Sequence, residues 1–142
     1  MGEFHGREHH YPIRVFYEDT DFTGIVYYAN YLRFFERARS SFFRLVGLKH
    51  AQLWDAEDPI AFAIKKIELD YKKPARIDDH ITIVTTYDRF KGARLWVSQA
   101  AYRGDELLVT AVSEAASITP AGRPKRAPKD MIEMLRPFLL EG

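Results

Sequence analysis

Residues 15–44 read VFYEDTDFTGIVYYANYLRFFERARSSFFR, and this stretch decides the fold. It opens as a short strand, Ile13 to Tyr17, behind Pro12, whose missing N–H is tolerated at a strand start. Three acids follow, Glu18, Asp19 and Asp21. Thr23-Gly24 supplies a turn, so Glu18–Ala29 reads as one irregular segment. Asn30 is a good N-cap residue, and Tyr31 to Val46 carries helical periodicity. Tyr31, Phe35, Ala38, Phe42 and Leu45 recur at steps of three and four and form an apolar stripe. Arg33, Arg37, Ser40 and Arg44 form the opposing wet face. Gly47 ends the helix as a C′ residue. A helix this rich in Phe and Tyr belongs in the middle of the protein, since each buried ring contributes up to about 4 kcal/mol at ~25 cal/mol/Å².

Outward from this helix the pattern changes. A polar loop, Leu48–Pro59, leads to four segments rich in Ile, Val, Thr, Tyr and Trp: Ala61–Tyr71, Ile81–Phe90, Arg94–Tyr102 and Leu107–Ile118. Lys91-Gly92-Ala93 and Gly104-Asp105-Glu106 are hairpin-length, which predicts that the last three strands form an antiparallel meander. Pro120 to Pro128 reads as loop, and Lys129 to Leu140 as a short helix interrupted near Pro137. One long helix with one antiparallel sheet is an α+β arrangement. The sheet must wrap a wide apolar stripe, which is the hot-dog fold. Apolar residues on both faces of the later strands predict assembly into a homo-oligomer that covers the outer face.

At 142 residues, one domain spanning 1–142 is expected. Residues 1–11 are polar and read as a mobile tail. The chain has no cysteine, which excludes disulfides, zinc–thiolate sites and a cysteine nucleophile. A net charge of +1 argues against non-specific nucleic-acid binding, which needs a basic excess. No apolar run approaches the ~20 residues that span a bilayer, and the first residues lack the apolar core of a signal peptide. The expected location is the cytoplasm.

The acids of the opening run suggest chemistry. Asp19 and Asp21 share a face if strand geometry persists. Gly24 permits a tight backbone path, and the free amides of a helix start favour developing negative charge. A carboxylate facing a carbonyl held by such amides is suited to acyl transfer or hydrolysis. Acids before a helix also serve simply as caps or solvated turn residues, and spacing alone does not choose between these uses.

The residues Arg14-Val15, Thr20-Asp21-x-x-Gly24-Ile25-Val26-Tyr27-Tyr28 and Tyr31 resemble the signature of the 4-hydroxybenzoyl-CoA thioesterase family. Phe35-Glu36-Arg37-Ala38-Arg39 resembles its Tol–Pal-associated bacterial branch, the acyl-CoA thioesterases. The resemblance implies a hot-dog fold, dimers or tetramers with active sites between subunits, and no metal or cofactor beyond the coenzyme A of the substrate. It makes Asp21 the catalytic carboxylate, as nucleophile or general base. Tyr28 stands where the branch often carries histidine, and would assist through its hydroxyl. Gly24, Ile25, Val26, Asn30 and Tyr31 would border the substrate. Lys73, Arg89, Lys91 and Arg94 are candidates for the coenzyme A phosphates. Acyl groups on an acyl carrier protein, or non-catalytic acyl binding on the same fold, are the alternatives.

The other polar residues carry less. His5, His9 and His10 lie in the expected tail with nothing to orient them toward a metal, and His50 and His80 read as isolated loop residues. Trp54 and Trp96 read as packing residues. Glu36 is expected to pair with a neighbouring arginine. No Gly-x-Ser-x-Gly elbow is present.

Overall fold

The computed structural model describes residues 1–48, 53 and 57–141. Six strands, β1 (Glu3–His5), β2 (Glu8–Arg14), β3 (Ala61–Tyr71), β4 (His80–Lys91), β5 (Arg94–Arg103) and β6 (Glu106–Ile118), form one sheet. Its order is β1-β2-β4-β5-β6-β3, and every neighbouring pair is antiparallel. The expected meander is β4-β5-β6. Register shifts at Ile64/Lys66, Tyr87/Arg89 and Ala101/Tyr102 bend the sheet around helix α1 (Asn30–Leu45). A short helix α2 (Lys129–Leu135) and a 3₁₀ turn (Arg136–Phe138) close one end, with the break at Pro137. Among the described residues no helix is long and apolar enough to cross a membrane.

Helix α1 is the filling. Phe34, Phe35, Ala38 and Phe42 are fully buried, with Tyr31, Ser41 and Phe43 close behind. Its first half packs on Ile13, Val15, Ile81, Ile83 and Val109; its second half packs on Tyr87, Leu95, Val97 and Leu135. Leu45, expected on the stripe, is exposed. The stripe turns instead through Phe34 and Phe43.

Residues 1–11 are not a mobile tail. Gly6-Arg7 makes a two-residue hairpin loop between His5 and Glu8, with Gly6 at φ 64°. The hairpin presents Phe4, His9 and Ile13 inward. Phe4 lies 5.1 Å from the Phe42 ring and 4.6 Å from Phe138, and His9 is fully buried beside Phe42. Burial holds the His9 pKa below its ordinary value. β2 ends at Arg14, earlier than the expected strand, because Tyr17–Asp19 is a 3₁₀ turn. His80 opens β4 rather than sitting in a loop, and accepts a hydrogen bond from Arg14 Nη2 at 3.0 Å. His50 and Trp54 lie outside the described residues.

Candidate active site

The segment between β2 and α1 is organised by Asp19, not by Asp21. Asp19 is 6% exposed. Its Oδ2 accepts from the Phe16 amide at 2.8 Å, and its Oδ1 accepts from Asn30 Nδ2 at 2.9 Å. Its carbonyl accepts from the Tyr27 amide at 2.9 Å. One residue therefore ties the end of β2 to both the loop and the helix start. Strand geometry does not persist, so Asp19 and Asp21 do not share a strand face. Asn30, expected as an N-cap with an amide to offer, lies one residue inside the helix after Ala29. Its side chain holds Asp19 and its amide donates to Tyr27 O at 2.8 Å.

Between those anchors the chain makes a small hairpin. Thr20 bridges to Val26, and the Asp21 amide donates to Ile25 O at 2.9 Å. The Gly24 amide returns to Asp21 O at 3.1 Å, with Gly24 at φ 82°, a conformation that suits glycine. The hairpin is pinned to the β3–β4 loop. Val26 N–H donates to Ala75 O at 2.8 Å, and Ile25 bridges to Arg76. That loop is itself clasped: Arg103 Nη1 donates to Asp79 Oδ2 at 2.7 Å and to Pro74 O at 3.2 Å, and the Arg76 amide donates to the same Asp79 oxygen.

Asp21 is thus placed at the tip of a supported turn. Its Oδ1 accepts from the Thr23 hydroxyl and from the Thr23 amide, the latter at 2.8 Å. These two bonds, the hydroxyl first, hold its pKa below the ordinary carboxylate value. Its Oδ2 has no protein partner among the described residues. A cavity of about 300 Å³ beside it is lined by Glu18, Asp19, Tyr27, Ala29, Asn30 and Arg33 as well as Thr20 and Asp21. At the helix start Leu32 N–H is taken by Ala29 O at 3.2 Å, while the Tyr31 amide has no acceptor among the described residues. The Tyr31 side chain is buried, so its backbone is what it can offer.

The other expected site residues scatter. Tyr28 is exposed and its ring meets Tyr71 edge-on at 6.3 Å, with Tyr71 Oη donating to Tyr28 O at 2.8 Å. Tyr27, not Tyr28, lines the cavity next to Asp21. Val26 is buried, with its amide engaged as described. Lys73 pairs with Glu106 at 2.9 Å at the Arg103 end of the sheet. Arg89, Lys91 and Arg94 do come together. With Lys65 and Arg126 they rim a groove of about 900 Å³, where Arg89 lies 4.1 Å over the Trp96 ring and Arg94 pairs with Glu114 at 3.2 Å. Trp96 thereby supports a charged groove rather than simply packing. Glu36 forms no ion pair among the described residues. Neither Lys65 nor Arg126 stands out in the sequence, and Asp19 reads there with Asp21 rather than as a structural joint; the groove needs β3, β4 and β5 brought into register.

The Asp21 loop and this groove lie at opposite ends of the sheet. The loop rests on residues 75–79, just before β4 begins at His80; the groove sits at Lys91, where β4 ends. Twelve residues of strand span roughly 30–40 Å.

Asp19 generates a direct expectation. Asp19→Ala leaves the Phe16 amide and the buried Asn30 Nδ2 without their acceptors. Unfolding in denaturant should show a loss of about 2–4 kcal/mol, and an unchanged midpoint would contradict the assigned role.

Comparison with known proteins agrees with this architecture. Residues 15–135 match the family model of the thioesterase-like superfamily. The chain is 37% identical over 108 residues to the acyl-CoA thioesterase YbgC of Haemophilus influenzae, covering 76% of this chain and 79% of that one. It is 35% identical over 99 residues to the acyl-CoA thioester hydrolase YbgC of Escherichia coli, covering 70% and 72%. Among solved structures, a probable thioesterase from Bartonella henselae superposes with a TM-score of 0.82 at 40% identity, covering 85% of this chain and 99% of that one. The hot-dog fold and the Asp21 motif thus sit in a chain that belongs to the thioesterase-like superfamily and, within it, to the YbgC-like thioesterases.

Proposed function

We propose that this chain hydrolyses acyl-coenzyme A to a free acid and coenzyme A, with Asp21 as the reacting carboxylate. The observation that carries the reading is the state of Asp21: one oxygen is held by Thr23, the other is unengaged, and a cavity and a helix start lie beside it. Two balanced routes fit. Asp21 Oδ2 adds to the thioester carbon, coenzyme A leaves as thiolate, and water cleaves the resulting anhydride. Or Asp21 takes a proton from water as that water adds, and the thiolate leaves. In both, the Tyr31 amide supports the carbonyl oxygen as it becomes negative. Thiolate is a good leaving group, so no strong acid is required, and the reading needs no metal or cofactor. Tyr28, whose ring meets Tyr71, borders the approach to the cavity in this reading rather than moving a proton.

The phosphates of coenzyme A fit the groove of Arg89, Lys91 and Arg94. A groove some 30 Å from Asp21 in the same chain favours a homo-oligomer, a dimer or tetramer, in which one subunit holds the nucleotide while another supplies Asp21. The open edge of β3 and the exposed Phe16, Tyr17, Phe22 and Tyr28 around the Asp21 loop support that assembly. The same basic groove also suits an acidic acyl carrier protein, the second reading. A cytoplasmic location follows from the substrate.

Thiol release across short, long and aromatic acyl-CoAs tests the activity. Asp21→Asn should lose at least a hundredfold in kcat while remaining folded and oligomeric. Full activity in that variant removes Asp21 from the chemistry, and faster turnover of acyl carrier protein thioesters moves the assignment to the second reading. The acidic limb of the rate profile should lie below the ordinary aspartate range. Thr23→Val removes the hydroxyl that contributes most to the lowered pKa, so the limb should move up in pH. An unmoved limb would show that Asp21 ionisation does not set it.

A further inference from the structure

A second polar cavity lies between α1 and the edge strand β3, apart from Asp21. One side of α1 presents Leu32, Glu36, Arg39 and Phe43, at steps of four, three and four. With Phe62, Ile64, Leu95, Val97 and Ala115 of the sheet, Arg39 and Phe43 enclose about 80 Å³. The walls are apolar, but two donors are not. Tyr87 also lines the cavity; it is 1% exposed, and its hydroxyl has no hydrogen-bond partner. Arg39 Nη1 donates to Gln99 Oε1 at 2.9 Å, and no carboxylate lies within ion-pair distance of it among the described residues. Gln99 is itself committed to Phe35 O and Thr85 Oγ1.

Both side chains line the same cavity, and burial lowers the Arg39 pKa and raises that of Tyr87. At neutral pH the pair is a cation beside a neutral phenol. Both can donate, and the nearest acid, Glu36, faces solvent at the rim. A half-buried guanidinium whose acceptor is the neutral Gln99 oxygen, beside a buried hydroxyl that has none, calls for an anionic oxygen group.

Ile64 of β3, which lines the cavity, and Leu32 of α1 are exposed, as are Tyr28 and Tyr71, which meet beside Tyr31 at the helix start. Asn30 and Arg39 are nine residues apart, a rise of about 14 Å, which an extended chain of about ten carbons covers. We propose that this cavity is the terminal subsite of the acyl groove and takes the far carboxylate of an ω-carboxyacyl chain. The proposal deepens the thioesterase reading and rests on it for the identity of the chain's other end. It makes dicarboxylic half-thioesters the favoured substrate class. Arg39 and Tyr87 are then specificity residues and do not touch the reacting atoms.

Two measurements on the full chain separate this proposal from the reading beneath it. Calorimetric titration with decanedioate and decanoate reads the cavity without any turnover. Decanedioate should bind at least tenfold more tightly, and Tyr87→Phe and Arg39→Gln should each reduce that ratio severalfold. The ratio of kcat/KM for the mono-CoA thioester of decanedioate over decanoyl-CoA should follow the same order. Tyr87→Phe removes only an oxygen that has no partner, so it decides the matter if Arg39→Gln does not fold. Equal binding of the two acids, or a preference that survives in Tyr87→Phe, overturns the proposal and shows a cavity filled by water. Selective binding with neither thioester cleaved leaves the subsite standing and removes the thioesterase reading. Cleavage of both thioesters at one rate, with equal binding, does the reverse.

Discussion

The buried carboxylate of Asp19 is the joint on which the site depends. It accepts from the Phe16 amide, two residues past the end of β2, and from the first side chain of the helix, at Asn30. A desolvated carboxylate is costly unless its lone pairs are engaged, and here two strong acceptor positions are filled. The cost and its compensation lock the strand end, the helix start and the loop between them into one geometry. The Asp21 turn is held by that lock together with Val26, which is buried in the core beside Ala75. Its second support, the β3–β4 loop, is held in turn by Arg103 and Asp79. Two ionic or charge-assisted anchors therefore flank a turn whose catalytic candidate is exposed.

Such an arrangement divides labour along the sheet. The end near His80 holds an exposed carboxylate, a cavity and a helix start. The end near Lys91 holds basic side chains over an indole ring. The buried aromatic filling of α1, Phe34, Phe35 and Phe42, lies between the sheet and the helix along this length. In the proposed assembly a substrate that uses both ends is shared between copies of the chain. Arg39 of α1 and Tyr87 of β4 line the cavity beneath the helix, and under the proposal they set the depth of the acyl group.

Much of this was legible in the sequence. The 3.6-residue stripe of α1 is strong because it is built from large rings, and the meander is written in Gly92 and Gly104. Asp21 stands out through its motif. What escaped the reading depended on partners far away in sequence. Residues 1–11 look polar, yet Phe4 finds Phe42 and Phe138 and the Gly6 loop folds it back onto them. Asn30 has the composition of a cap but is drawn one residue inward by Asp19. The motif favours Tyr28, but Tyr28 meets Tyr71 while Tyr27, bonded to Asp19 O through its amide, lines the cavity. Arg39 looks like part of a charged helix face until the sheet closes over it. Lys73 and Arg89 look alike as surface cations, and register alone sends them to opposite ends.

The central claim is that one catalytic site takes Asp21 from one copy and the basic groove from another. Mixing two inactive variants tests it most directly. Asp21→Asn lacks the carboxylate, and the double change Arg89→Glu with Lys91→Glu lacks the groove. After co-refolding or subunit exchange, a mixed assembly contains one site with both parts intact, and thiol release should return to a substantial fraction of the wild-type rate. If the mixture stays as inactive as its components while mixed assemblies form, the carboxylate and the groove act within a single chain and the account is wrong.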